Sequence, residues 1–266
     1  MSLKLTILGC GSSGGVPRIG GDWGLCDPHN PKNRRRRCSL LAQRRGQGGV
    51  TNVLVDTSPD MREQLLGTDV SWLDGVLYTH EHADHIHGID DLRVVAINGR
   101  KRIRVWADHR TNAHLRNRFN YCFEQPAGSD YPPICDAHLI TPYETVEVDG
   151  PGGEISAIPF EQLHGNIRSL GFRFGALAYS SDLNDLPEES LDLLKDLDIW
   201  IVDALKQTPH PSHFSLAEAL DWIERINPKR AILTNMHVDL DYETLRQTLP
   251  PYIEPAYDGL TVEIDN

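Results

Sequence analysis

The sequence predicts an α/β (α+β) fold in which two β-sheets carry helices on their outer faces. The order of elements points to it: short β-like runs, then helical runs, then a second set of each. A second observation is that several strands read as buried apolar runs that end in a polar, chemistry-bearing residue. With 266 residues, no internal repeat and no linker-like stretch, the expectation is one domain over residues 1–266.

Lys4–Leu8 alternates like a strand and gives way to the glycine-rich loop Gly9–Gly15. Residues 16–37 read as a long ordered loop that ends in a basic run. Cys38–Ala42 and Val50–Asp56 read as a hairpin. Ser58-Pro59 starts a short helix to about Leu66, because proline is tolerated in a first turn. Gly75–Tyr78 is a buried strand that delivers the chain into Thr79–Gly88, and Ile89–Ile97 reads as helix. Ile103–Ala107 is a strand, and Asp108 caps a helix to about Phe119. Residues 122–137 read as an irregular insertion, followed by short strands near 144–148, 154–159, 170–174 and 176–179. Leu186–Leu197 reads as helix and Ile199–Asp203 as a buried strand. Ser215-Leu216-Ala217-Glu218 is a capping box that opens a helix to Ile226. Ala231–Thr234 is another buried strand, and 242–248 a short helix.

Hydrophobic residues make up 39% of the chain and charged residues 24%, which suits a globular protein with a real core. No apolar run approaches the roughly 20 residues that span a bilayer, so no membrane partner is expected. Leu3–Leu8 is too short and too lightly flanked for a secretion signal. The five cysteines are odd in number and scattered, which argues against a disulfide framework and for a cytoplasmic location. The net charge of −12 argues against non-specific nucleic-acid binding, which needs Lys and Arg along a phosphate backbone, and no extended track for it is evident.

The densest chemical signal is Thr79-His80-Glu81-His82-Ala83-Asp84-His85, directly after a predicted strand. Imidazole nitrogens and carboxylate oxygens are the usual donors to zinc and similar divalent ions. Two ions need more donors than this loop supplies, and His164, Asp182 and His237 each follow a predicted strand.

In type, order and approximate spacing, His80-x-His82-x-Asp84-His85, His164, Asp182 after Tyr-Ser-Ser, and His237 resemble the metallo-β-lactamase superfamily over nearly the whole chain. The resemblance implies a four-layer αββα sandwich with its site at one edge of the sheets. It implies that His80, His82 and His164 hold one ion, that Asp84, His85 and His237 hold a second, and that Asp182 bridges them. The narrower resemblance is to the PhnP-like phosphoribosyl cyclic phosphodiesterases, carried by Gly9–Gly20, Asn33–Ser39 and Ser212-His213-Phe214-Ser215. Some relatives add a cysteine cluster for a structural zinc. Only Cys26 stands at that place, so the cluster is incomplete and the sequence leaves a structural zinc open.

The implied chemistry is hydrolysis of a phosphodiester in a small phosphorylated sugar or nucleotide, cyclic phosphates included. A hydroxide between the metals is the nucleophile, Asp84 orients it, and His213 is the general acid, with His210 a weaker competitor. A thiolate-free donor set suits zinc best, with manganese or iron as alternatives. Arg34, Arg35, Arg36 and Arg37 read either as a solvated basic face or as a grip on substrate phosphate. Asp56 and Asp203 are candidates to orient histidine ligands. Other readings stay open: another ester or thioester, RNA 3′-processing, or a non-enzymatic nucleotide-binding metalloprotein. A homodimer is compatible with the sequence.

Overall fold

The computed structural model describes residues 2–265. In chain order the first sheet takes β1 (Ser2–Gly9), β2 (Ser39–Gly46), β3 (Gly49–Val55), β4 (Gly75–Leu77), β5 (Ile103–Ala107) and β6 (Cys135–Leu139). The second takes β7 (Val146–Val148), β8 (Ile155–His164), β9 (Ile167–Phe174), β10 (Leu177–Ser180), β11 (Ile199–Asp203), β12 (Arg230–Thr234) and β13 (Ile253–Pro255). The last strand, β14 (Thr261–Asp265), returns to the first sheet and pairs antiparallel with β1. Each sheet has seven strands, ordered β14-β1-β2-β3-β4-β5-β6 and β13-β12-β11-β10-β9-β8-β7.

Alternation along the strands sets the layers. Leu40, Ala42, Val53 and Val55 face the second sheet and pack with Phe160, Phe172 and Ile201 in the larger core. Their neighbours Leu41 and Leu54 face outward. There α1 (Met61–Leu66), α2 (Ala83–Ile86), α3 (Leu92–Gly99) and α4 (His109–Phe123) cover them through Met61, Ile86, Leu92 and Leu115. Beyond the second sheet lie α5 (Glu188–Leu191), α6 (Leu216–Ile226) and α7 (Tyr242–Thr248), with Ala219, Ile223 and Leu245 in the larger core. Strands buried on both faces read as continuous apolar runs rather than alternating ones, as Ile199–Asp203 does.

β3 and β4 run parallel, as do β10, β11 and β12. β8 reaches the same direction as β10 through two antiparallel pairings with β9. The carboxyl ends of these strands therefore open at one edge of the sandwich, where the chain can present side chains without breaking the sheets.

Five elements differ most from the sequence expectation. The first helix begins at Met61, after an Asp60 cap, so Pro59 precedes it rather than opening it. Residues 135–139, expected to be irregular, form the edge strand β6 beside β5. The helix expected over Leu186–Leu197 is only α5 and a 3-10 turn at Asp192–Leu194. β13 and β14 were not anticipated, because a three-residue strand that ends in proline and a short edge strand carry little pattern of their own.

The capping box forms as read: Ser215 Oγ accepts from Glu218 N, and the Glu218 carboxylate accepts from Ser215 N at 2.8 Å. Replacing Ser215 with Ala is expected to cost ~1 kcal/mol of unfolding free energy, measured by urea denaturation of the metal-free protein.

Candidate metal centre

Every donor is set by a strand that ends at the open edge. β4 delivers Thr79 and the loop His80–His85, whose last residues form the single-turn helix α2. β8 ends on His164, β10 leads to Asp182, β11 ends on Asp203 and β12 leads to Asn235. Gly88 closes the loop by donating its N–H to Thr57 O at 2.8 Å. A Cβ at Gly88 would lie 2.0 Å from Ser58 O, so only glycine lets the loop sit this close to the end of β3.

The donors converge in three groups, each with ligand atoms within 4.8 Å of one another: His80, His82 and His164; His80, His85 and Asp182; and His164, Asp182 and His213. His85 Nε2 is 3.1 Å from Asp182 Oδ1 and 3.5 Å from Asp84 Oδ2. His164 Nε2 is 3.8 Å from Asp182 Oδ2, and His80 Nε2 is 3.9 Å from it. Asp182 therefore stands between the two sets of imidazoles.

The buried atoms His80 Nε2, His85 Nε2 and Asp182 Oδ1 have no hydrogen-bond partner. Buried polar atoms are normally satisfied, and three orphans aimed at common points are what a cation would complete. The opposite ring nitrogens are fixed. Asp56 Oδ2 holds His85 Nδ1 at 2.7 Å while accepting from Thr79 Oγ1, which itself lies 3.0 Å from His80 Nδ1. His164 Nδ1 donates to Ser212 O at 2.6 Å. Such contacts set the tautomer and aim the free nitrogen. The residues present thus fit divalent cations.

The electrostatics agree. Burial pushes His80 and His164 below the ordinary histidine range, so both stay neutral, the form that binds a cation. Burial would lower His85 too, but Asp182, Asp84 and Asp56 converge on it and raise it well above that range. Three carboxylates around one buried imidazole form a concentration of negative charge that calls for positive charge.

Among the predicted residues, Asp84 lies beside His85 at the mouth of the site. Asp84 falls in none of the three donor groups, and neither does His237, which nonetheless lines the same cavity as Asp84. His237 is half-buried, with Nδ1 3.1 Å from Asp239 Oδ1 and Nε2 against the Arg18 guanidinium. His213 comes closer: its Nδ1 is 2.7 Å from Asp203 and 3.8 Å from Asp182. Burial opposes its protonation, but the Asp203 carboxylate outweighs this and raises His213 to about 9.

A cavity of about 440 Å³ opens over the donors, lined by Arg18, Asp84, Lys206, His210, His213 and Asn235 among others. None of Arg34, Arg35, Arg36 and Arg37 lines it, which corrects the expectation that they grip substrate. Arg35 is buried and donates to the carbonyls of Leu240 and His237. Arg36 pairs with Asp258 at 2.9 Å and Arg37 with Asp60 at 2.8 Å. The Arg34 guanidinium lies over the Trp23 ring. Arg35, Arg36 and Arg37 hold the long 16–37 loop to the body, while Arg34 packs within the loop. The residues that sequence reasoning missed are Arg18, Lys206 and Asn235. Cys26 packs against Val16 and Val238, and all five cysteines are buried and free. A larger cavity of about 640 Å³, over Lys4, Gln43, Arg45 and Thr261 on the outer face of the first sheet, contains none of the three donor groups.

Residues 51–236 match the beta-lactamase superfamily domain. The chain belongs to the metallo-β-lactamase superfamily of hydrolases. Within it, the chain belongs to the PhnP family: it is 36% identical to a diphosphatase of that family known from a crystal structure, with a TM-score of 0.88 over 99% of this chain and 98% of that one. The Zn²⁺-bound PqqB of Methylobacterium extorquens is 17% identical with a TM-score of 0.71 over 97% of this chain and 99% of that one, a likeness of fold. A protein of Porphyromonas gingivalis named as an octanoyltransferase is 31% identical over 99% of this chain. The chain spans only 52% of that relative's length.

Asp56 acts on the centre through His85 and Thr79. Asp56→Asn is expected to weaken cation binding about 10- to 100-fold, measured by chelator competition against the unaltered protein.

Proposed function

We propose that the chain is a metal-dependent phosphodiesterase that acts on a small phosphorylated sugar or nucleotide, cyclic phosphates included. The observation that carries this reading is the pairing, in one cavity, of His82, His164, Asp84 and the orphaned Asp182 carboxylate with the cations Arg18 and Lys206 and the imidazole of His213. His80, His82 and His164 would hold one cation, Asp84 and His85 the other, with Asp182 between them. Cations so held supply an ionised water at neutral pH and offset negative charge on a phosphoryl group.

The protein's own groups account for the rest. Arg18 and Lys206 face the cavity. Lys206 has no carboxylate within 4.0 Å among the described residues, so its charge is free for an anion. A guanidinium and an ammonium on one wall orient the oxygens of a phosphate by charge-assisted hydrogen bonds. His213 is held through Nδ1 by Asp203, which leaves Nε2 as the free ring nitrogen. As an imidazolium it would donate a proton from Nε2 to the departing alkoxide. Leu183 N fixes Asp203 in turn, so the ring cannot swing away. The cavity of about 440 Å³ fits a sugar phosphate or nucleotide.

The deciding experiment is a substrate panel on metal-loaded protein: 2′,3′-cyclic nucleotides and bis(p-nitrophenyl) phosphate against a thioester and a β-lactam. Turnover of the thioester alone would overturn the reading. His213→Ala is expected to lower kcat about 10²- to 10⁴-fold on alkyl phosphodiesters and far less on p-nitrophenyl esters, whose leaving group needs no proton, with metal content unchanged. Arg18→Ala is expected to raise KM for a cyclic nucleotide roughly 10-fold, the loss of one charge-assisted hydrogen bond.

A further inference from the structure

We infer that Arg110 and Arg118 of α4 are positioning residues for the metal loop: they grip Glu81 by its carboxylate and its carbonyl, and through it they aim His82. The inference rests on the metal-centre reading above.

Glu81 stands between two of the loop imidazoles. His80 and His82 belong to the same donor group, and Glu81 turns the other way, towards α4. Side chains alternate in this manner along extended backbone, which His82 has with φ −66° and ψ 151°. The Glu81 side chain is buried, and its Oε2 has no hydrogen-bond partner. Its Oε1 accepts from Arg110 Nε at 2.6 Å and lies 4.0 Å from His114 Nε2. Arg118 Nη1 donates to the Glu81 carbonyl at 2.9 Å. That carbonyl belongs to the rigid peptide that joins Glu81 to His82, so Arg118 fixes the plane from which His82 departs.

Arg110, His114 and Arg118 are spaced four residues apart and form one stripe along α4. A helix that carries no Asp or Glu between 109 and 123 offers those side chains no partner of its own, and they turn instead to the metal loop. The helical backbone breaks just past the stripe, at Phe119, with φ −132° and ψ 38°. The Phe119 ring packs edge-on against His87, which closes α2, with centroids 5.5 Å apart. α4 therefore holds the loop at Glu81 and again at His87, with His82, Asp84 and His85 between them.

His82 is the imidazole that needs this support. Thr79 Oγ1 stands beside His80 Nδ1, Asp56 beside His85 Nδ1 and Ser212 O beside His164 Nδ1. The His82 ring has no such support. Its one hydrogen-bond-range contact among the described residues is from Nδ1 to His164 Nε2 at 3.1 Å, and that nitrogen is itself one of the converging donors. An imidazole that no side chain or carbonyl orients is placed by its backbone. Two guanidinium contacts, one to a carboxylate and one to the adjoining carbonyl, are what restrain that backbone.

The test is zinc binding by the full-length protein, measured by chelator competition. Glu81→Ala and Arg110→Ala are each expected to weaken zinc binding about 10-fold or more, and Glu81→Gln, which keeps an oxygen for Arg110, to stay within about 3-fold of the unaltered protein. In a His82→Ala background, with no imidazole to aim, Glu81→Ala is expected to cost less than about 3-fold further, because groups that act through one another are not additive. A merely structural Glu81 would cost the same in both backgrounds. Melting of each metal-free variant verifies folding, and Arg110→Ala removes a side chain that is 54% exposed. Unchanged zinc affinity in Glu81→Ala or Arg110→Ala, or an equal loss from Glu81→Ala with and without His82, would overturn the inference and leave the metal centre standing. Failure of the unaltered protein to bind zinc would remove the metal-centre reading itself.

Discussion

The buried Asp182 carboxylate is the constraint around which the rest is arranged. It lies at the carboxyl end of β10 with one oxygen that has no hydrogen-bond partner. Taking a carboxylate out of water costs several kcal/mol unless charge compensates it. His85, His213 and His80 offset that burial and hold Asp182 well below the usual carboxylate range. Those imidazoles compensate fully only when protonated, and burial keeps His80 neutral. The arrangement is self-consistent once positive charge arrives from outside the chain. The edge of the sandwich is thus a place where folding leaves an electrostatic demand that ligand binding meets.

Two carboxylate–imidazole pairs of the same geometry flank that centre and do different work. Asp56 holds His85 and Asp203 holds His213, each at 2.7 Å, and both carboxylates are fully buried at the ends of parallel strands. Asp56 has φ 62°, a left-handed turn that folds its side chain back over Thr79 and the metal loop. Its imidazole turns Nε2 toward Asp182 among orphaned donors. The imidazole on Asp203 lies on the cavity wall between the donors and His210, where it is available to a substrate. One structural device, repeated in both sheets, sets an imidazole among the donors in one place and, on the function proposed above, a proton carrier in the other.

The loop His80–His85 was legible because its donors sit together in sequence, and a strand end is enough to aim them. His164 ends β8 and Asp182 follows β10 by two residues, so each stood out as a polar residue at the exit of a buried strand. Sequence distance does not say which way a residue points: Asn235 and His237 both reach the cavity wall, with His237 against Arg18 and outside the three donor groups. Arg34–Arg37 misled for a related reason. A basic run on an acidic chain suggests an anion site, but each arginine is spent on a carbonyl, a carboxylate or an aromatic ring of the fold itself. Arg18 gave no such signal, since a lone arginine in a proline- and glycine-rich loop resembles any surface residue. Only the return of that loop toward β12 reveals it. The layers followed from the order of elements, whereas the edge strands β6, β13 and β14 owe their state to pairing partners distant in sequence.

Charge also narrows what the cavity can admit. The chain carries a net charge of −12, so a long polyanion would meet repulsion over most of the surface. Arg18 and Lys206 stand out against that background because they face a concave wall, where low-dielectric surroundings strengthen their field over a short range. Beyond about 10 Å salt screens it. A small phosphorylated molecule fits wholly within that range and feels the cations without feeling much of the acidic surface. An RNA strand would extend past the cavity into negative potential, and the arginines that could have formed a track for it are bound within the fold. On the function proposed above, the charge distribution that holds the 16–37 loop in place supports a compact anion as substrate over an extended one.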